Sequence, residues 1–433
     1  MKILEHKAID GLLRILSSRL ISAMAIVVAV AGGIRVFVNY WNRFFIPKEL
    51  SGDETLFLQS FQSTLTNGWY ESTATGSASF FNLTGLLFDP LFSDSIYTLR
   101  FIGVLSLVLT IVVWSYFAWR TLQIKGIMLV QLIAFLILVG PMRNHYFRIY
   151  TDGLFVLFLS LAIIYLTISC LRMSKAQNFV WTTLLAGLFL GISTAIRELV
   201  ILYIPGLLLV FLLLIYWQRK RAIPVMVYFG VGLLVAVLAL HYPAIVEHGT
   251  LSVQSKQPVG IEATWGQRLY LSVATNQSPS PDWPVVLDYL AKNGDDSLPK
   301  SYLDSILFNP SLTFNNFIYS LSLTPNPFLR TLGLFFILFF APLFLGKKAI
   351  NANAYHPIFI ITFFLLVTFT IILCLQIMDD MQFRRFLFFV FAITISTVNY
   401  LYHYVPNRKL ALAIMNANLL VIGIANLLLF GMQ

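Results

Sequence analysis

Two adjacent carboxylates, Asp53 and Glu54, follow Gly52 just after the first long apolar run of the chain. A carboxylate within hydrogen-bond reach can take the proton of an attacking hydroxyl. Ionisable groups in a membrane chain are functional-site candidates. Arginines recur at comparable points of the hydropathy pattern: Arg143 and Arg148, Arg197 beside Glu198, and Arg384 with Arg385. Guanidinium groups bind phosphate through two parallel hydrogen bonds. A proton acceptor plus phosphate-binding cations would suit displacement of a phosphate leaving group. Arg143, His145, Tyr150 and Glu198 are candidates for contacting substrate. Asp53 with Asp152 could hold Mg²⁺ or Mn²⁺, and His145 would admit Zn²⁺. Structural roles compete with each of these. Acids are favoured at a helix N-terminus, Asp152 could cap the helix that Thr151 opens or pair with Arg143 or Arg148, and span-end arginines snorkel.

The elements that must position these groups are membrane helices. Hydrophobic residues make up 58% of the 433 and charged residues 11%, with a mean hydropathy of +0.80. About 20 apolar residues carry a helix across the hydrocarbon core, and helices satisfy their backbone within the segment. Continuous apolar runs exclude a β-barrel, whose strands alternate. An all-α polytopic protein with about eleven spans is predicted, at 20–42, 100–119, 124–141, 152–171, 179–196, 198–217, 223–245, 327–346, 355–377, 384–404 and 410–430.

The net charge of +10 does not gather into a nucleic-acid-binding stripe. With the N-terminus inside, every cytoplasmic segment carries at least two basic residues, among them Arg14 and Arg19, Arg120 and Lys125, Arg172 and Lys175, Arg219 to Arg221, Lys347 and Lys348, and Arg408 and Lys409. This is the positive-inside pattern. Residues 1–20 read as a basic amphipathic interfacial helix rather than a cleavable signal. Short cytoplasmic loops suit a bacterial inner membrane. The candidate residues then fall on the opposite, periplasmic or extracellular side.

Two long segments lie on that outer side. Residues 43–99 carry the acidic pair and short amphipathic pieces; Phe57, Phe61 and Leu65 recur at helical spacing, which predicts interfacial helices. Residues 246–326 are polar and Pro-rich and form a cap or loop between an N-terminal membrane module (1–245) and C-terminal helices (327–433). Trp265 and Trp283 could stack on sugar rings or anchor at lipid. No Gly-rich phosphate cradle, HExxH or Walker pattern occurs, so an activated substrate would be delivered by lipid. Cys170 and Cys374 sit in apolar runs, which argues against a disulfide framework. Asn82-Leu83-Thr84 and Asn276-Gln277-Ser278 match the glycosylation acceptor pattern.

Five stretches taken together resemble the polytopic glycosyltransferases that use polyprenyl- or dolichyl-phosphate sugars, such as protein O-mannosyltransferases and the lipid A aminoarabinose transferase. They are Gly52-Asp53-Glu54, residues 93–101 (SDSIYTLRF), residues 143–155 (RNHYFRIYTDGLF), residues 187–197 (GLFLGISTAIR) and residues 382–386 (QFRRF). The resemblance implies a GT-C fold and transfer of a sugar, with inversion, from a polyprenyl-phosphate donor to a hydroxyl of a glycan, lipid or protein acceptor. It permits a divalent metal without demanding one. On this reading Asp53 is the general base, Glu54 its helper, and Arg384, Arg385, Arg197 and Arg148 hold the donor phosphate. A lipid-linked-oligosaccharide transporter or flippase, a surface-polysaccharide polymerase, and an assembly protein without chemistry are the competing readings.

Overall fold

The protein is described by a computed structural model over residues 10–45, 50, 53–142, 144–254, 263–277, 280–344, 357–376 and 383–429. Arg143 and Gly52, both singled out in the sequence, lie outside these residues, as does the side chain of His145. Every regular element among the described residues is helical.

A long helix α1 (Arg19–Phe45) enters the first outer segment, which folds into α2 (Asp53–Asn67), α3 (Trp69–Ala74) and α4 (Ser79–Phe88). Then follow α5 (Ser95–Arg120), α6 (Ile127–Val139), α7 (Asp152–Ser174), α8 (Val180–Thr194) and the long α9 (Ile204–His248). The second outer segment holds α10 (Trp265–Ala274), α11 (Trp283–Asn293), α12 (Tyr302–Phe308) and α13 (Pro310–Leu323). The chain finishes through α14 (Pro325–Leu332), α15 (Leu334–Phe339), α16 (Pro357–Leu375), α17 (Leu387–His403) and α18 (Arg408–Leu429). In the bundle α8 packs on α9 and α7, α1 on α18 and α6, α5 on α7, and α9 on α16.

Seven of the described helices are long and apolar enough to cross a membrane, so the chain is an integral membrane protein. One of them, Glu198–His248, runs through two expected spans; it bends at Gln218 (φ −145°, ψ 54°), with Pro224 in the following turn. The stretches expected at 124–141 and 179–196 hold shorter apolar helices, Ile127–Val139 and Val180–Thr194. The stretch 327–346 is not one helix. It breaks at Gly333 (φ 57°, ψ −128°), between α14 and α15. Asn418 bridges the break: its Oδ1 accepts from Leu334 N at 2.8 Å and its Nδ2 donates to Leu332 O at 3.0 Å. Backbone groups freed inside lipid need such partners.

The two ends of the bundle differ in charge. At one, Arg221 donates to Met173 O at 2.9 Å, His403 to Leu122 O at 2.7 Å, and Arg408 to Tyr402 O at 3.3 Å. The basic segments therefore converge. At the other end stand Asp53, Glu54, Arg100, Asp152, Arg197 and Arg384.

The segment 53–88 is helical as expected, and of the three apolar positions Phe57 and Phe61 face inward while Leu65 does not. Glu54, Phe57, Phe61 and Thr64 are buried, whereas Leu65 is exposed. Hydrogen bonding turns the helix this way: Thr64 Oγ1 meets Ser72 Oγ at 2.7 Å and accepts from Asn82 Nδ2 at 2.9 Å. Asn82 is itself buried and bonded, which removes it as a glycosylation acceptor. The segment between α9 and α13 has its own small core of Ala263, Tyr270, Leu271, Val286 and Leu298.

Candidate active site

Four separate stretches of chain deliver charged side chains to one cleft. Its lining is Asp53, Phe57, Thr151, Asp152, Ile196, Arg197, Glu198, Gln254 and Arg384, and it holds about 290 Å³ of empty space, mouth included. Asp53 stands in the first turn of α2 and Asp152 in the first turn of α7. Thr151 makes no side-chain cap, and Asp152 is turned to a cation instead. Arg384 comes from the short turn Phe383–Phe386 that leads into α17.

Arg197 arrives by close helix packing. Gly187 and Gly191, four residues apart, lie against the backbone of α9 so closely that a Cβ on either would overlap it at Phe229 and Leu233. Small residues at this spacing let membrane helices approach. The contact carries the C-terminal end of α8, and Arg197 just beyond it, into the bundle end.

A second clamp brings in Gln254. Ser252 N donates to His241 Nδ1 at 3.1 Å. Nδ1 therefore carries no proton, and Nε2 donates to Thr194 Oγ1 at 3.1 Å. Ser252 Oγ also donates to Ser77 O at 2.8 Å. Buried His241 thus ties the segment after α9 to the end of α8 and to the first outer segment.

Two carboxylate–guanidinium pairs share the cleft. Arg384 Nη2 donates to Asp53 Oδ2 at 2.8 Å, with 12% of the arginine and 20% of the aspartate side chain exposed. Arg197 pairs with Asp152, and here only 9% and 4% remain exposed. The first pair is reachable from outside and the second is sealed. Tyr150 lies beneath Arg384, with the guanidinium carbon 5.2 Å from the ring centroid. Burial lowers the Arg197 pKa to about 10, with the neighbouring Arg384 and Arg385 pushing the same way and Glu198 and Asp53 opposing. Arg197 therefore keeps its charge at neutral pH. Arg385 is half-buried beside this group.

Glu54 is not in the cleft. It is buried behind Asp53, accepting from Ile149 N at 3.2 Å, with Arg100 and Arg148 each 4.0 Å away. Arg100 in turn donates to Phe44 O at 2.9 Å. Arg148 therefore faces Glu54 rather than Asp152. Through Ile149, Glu54 holds the strand of chain that ends in Tyr150 and Asp152. Gln254 and His241 are not among the residues the sequence points to, and Arg100 enters only through the stretch 93–101 that carries the resemblance. Arg100 had a signal, since it opens an apolar helix at the same end as the other arginines. Gln254 and His241 had none.

Asp53 and Asp152 line one cleft, yet each is engaged by an arginine, and among the described residues no group of three His, Cys, Asp or Glu side chains could hold an ion. A divalent cation at Asp53 and Asp152 would have to displace both guanidinium groups.

Comparison with known proteins returned no matching family model and no matching curated protein.

Proposed function

We propose that the protein is a membrane glycosyltransferase that moves a sugar from a polyprenyl-phosphate donor to an acceptor hydroxyl on the non-cytoplasmic face, within a GT-C fold. One observation carries the reading: the half-open Asp53–Arg384 pair shares a cleft with Arg197 at the end of the bundle opposite the converging basic segments. The positive-inside rule favours a cytoplasmic position for those segments, which supports a cleft on the non-cytoplasmic side.

The chemistry follows from exposure and charge. The acceptor oxygen forms a bond to the anomeric carbon. The bond from that carbon to the phosphate oxygen breaks, and its electron pair leaves on polyprenyl phosphate. The acceptor proton goes to a carboxylate. Asp53 is the acid that a substrate can reach; Asp152 is sealed against Arg197. Arg384 and Arg197, with Arg385 beside them, stabilise the departing phosphate, and charge stabilisation of this kind is often the largest catalytic contribution. Before donor binds, Arg384 occupies the carboxylate oxygen that would accept the proton. A phosphate that draws Arg384 to itself releases Asp53, so the donor would arm its own base. Glu54, Arg100 and Arg148 act behind the cleft as positioning residues, with Tyr150 as the platform for Arg384.

The test is turnover. Membranes containing the protein, given a polyprenyl-phosphate hexose, should release polyprenyl phosphate and transfer the sugar. Donor that stays intact with every acceptor class, while the protein is folded, would count against the reading.

The helix break at Gly333 favours a second reading, a lipid-linked-oligosaccharide flippase, because transporters place broken helices near mid-bilayer. The backbone groups either side of this break are bonded to Asn418 rather than presented to a ligand, and the charged cleft lies elsewhere.

A further inference from the structure

The basic end of the bundle carries a second polar cleft, which the transfer reaction does not use. It is lined by Asp10, Leu13, Arg14, Pro406, Asn407, Arg408 and Lys409 and, mouth included, encloses about 730 Å³. Three cations face one acid there.

We propose that this cleft binds the headgroup of an anionic phospholipid. Its two walls come from opposite ends of the chain and are held together by buried bonds. Asn416 of α18 donates to Leu16 O at 2.6 Å and to Ser22 Oγ at 2.9 Å, and it accepts from Gln131 Nε2. Arg14 is thereby fixed opposite Arg408 and Lys409. Arg408 is oriented further by the Tyr402 ring, 4.3 Å from its guanidinium carbon. The cations are exposed rather than spent on internal ion pairs, and no salt bridge to Arg14, Arg408 or Lys409 occurs among the described residues.

The surroundings favour a lipid over a free anion. Beside the cleft, Leu12, Ile15 and Leu20 are exposed by 57%, 62% and 71%. Large apolar side chains next to basic ones suit acyl chains running away from a phosphodiester. Basic pockets between membrane helices on the cytoplasmic side commonly bind anionic headgroups. Arg14 and Lys409 each contribute attraction; Arg408 also holds Tyr402 O, which makes it the poorer residue to change.

Native mass spectrometry of the full chain, exchanged into phosphatidylglycerol or phosphatidylcholine, reads the site. The wild type should retain phosphatidylglycerol and shed phosphatidylcholine. The double variant Arg14→Gln/Lys409→Gln should retain phosphatidylglycerol about thirtyfold less, and Arg14→Lys/Lys409→Arg should restore it, which separates charge from folding. Equal retention by the wild type and the Gln variant would overturn the proposal. So would inorganic phosphate that displaces phosphatidylglycerol at equal concentration, since the site would then be one for a free anion.

Discussion

Asp53 and Arg384 stand 331 positions apart and are joined by a 2.8 Å bond between guanidinium and carboxylate. Neither residue is paired by its local sequence. Helix α2 presents the carboxylate in its first turn and the turn before α17 presents the guanidinium, and the bundle brings the two elements to one edge.

The informative change at Asp53 is to asparagine, which keeps the size and removes the basicity. General-base catalysis contributes roughly 10²–10⁴-fold, and Asp53→Asn should lose about that much transfer. Arg384→Ala should instead raise the donor concentration needed for half-maximal rate. Steady-state rates over a donor titration separate the two effects.

Glu54 should behave differently from Asp53. Truncating one partner of a buried ion group leaves the other charge uncompensated, at a cost of about 3–5 kcal/mol. Glu54→Ala removes the buried carboxylate that lies 4.0 Å from Arg100 and accepts from Ile149 N. Thermal unfolding in detergent should show a large drop for Glu54→Ala and a small one for Asp53→Asn. Equal drops would contradict a stabilising role for the buried Glu54 group.

Gly187→Val should disrupt the contact that delivers Arg197. The new side chain would meet the backbone of α9 at Phe229 and Leu233, and overpacking of this kind costs about 1–3 kcal/mol. A lower unfolding temperature together with weaker donor binding is expected.

Sequence patterning made much of this legible. Hydropathy locates the membrane helices, because burying apolar side chains in lipid needs no tertiary partner. The charged span ends Asp53, Asp152, Arg197 and Arg384 stand out for the same reason, since a chain with 11% charged residues places few of them. Which acid meets which arginine was not legible. Asp152 was weighed against Arg143 and Arg148, and its partner is Arg197, because the glycine-mediated seating of α8 on α9 is a tertiary event. Gly333 escaped notice too: hydropathy counts apolar residues along 327–346 and carries no information on φ.

The break at Gly333 yields its own expectation. Its backbone angles are open to glycine almost alone, and a Cβ there would press on Asn418 Oδ1. Gly333→Ala should destabilise by about 1–3 kcal/mol, and Asn418→Leu by about 0.6–2 kcal/mol. A double-mutant cycle on unfolding should show that the two effects are not additive.

Arg197 gives a pH expectation. Its pKa falls from the usual arginine range to about 10 because it is buried, so the folded protein keeps the proton below that value. Above about 10 the unfolded chain binds more protons than the folded one, so this group favours the folded state as pH rises past that value. From about pH 6 to about pH 9 its charge is constant. The Arg197 contribution to donor affinity, read as the wild type against Arg197→Gln, should therefore be flat across that range.

The most direct measurement is polyprenyl phosphate release from a labelled polyprenyl-phosphate hexose by wild type and Asp53→Asn, with donor binding measured on the same preparations. Release by the wild type, and loss of about 10²-fold or more in the variant with donor still bound, is the expected result. An Asp53→Asn protein that releases the lipid phosphate at the wild-type rate would contradict a catalytic role for this carboxylate.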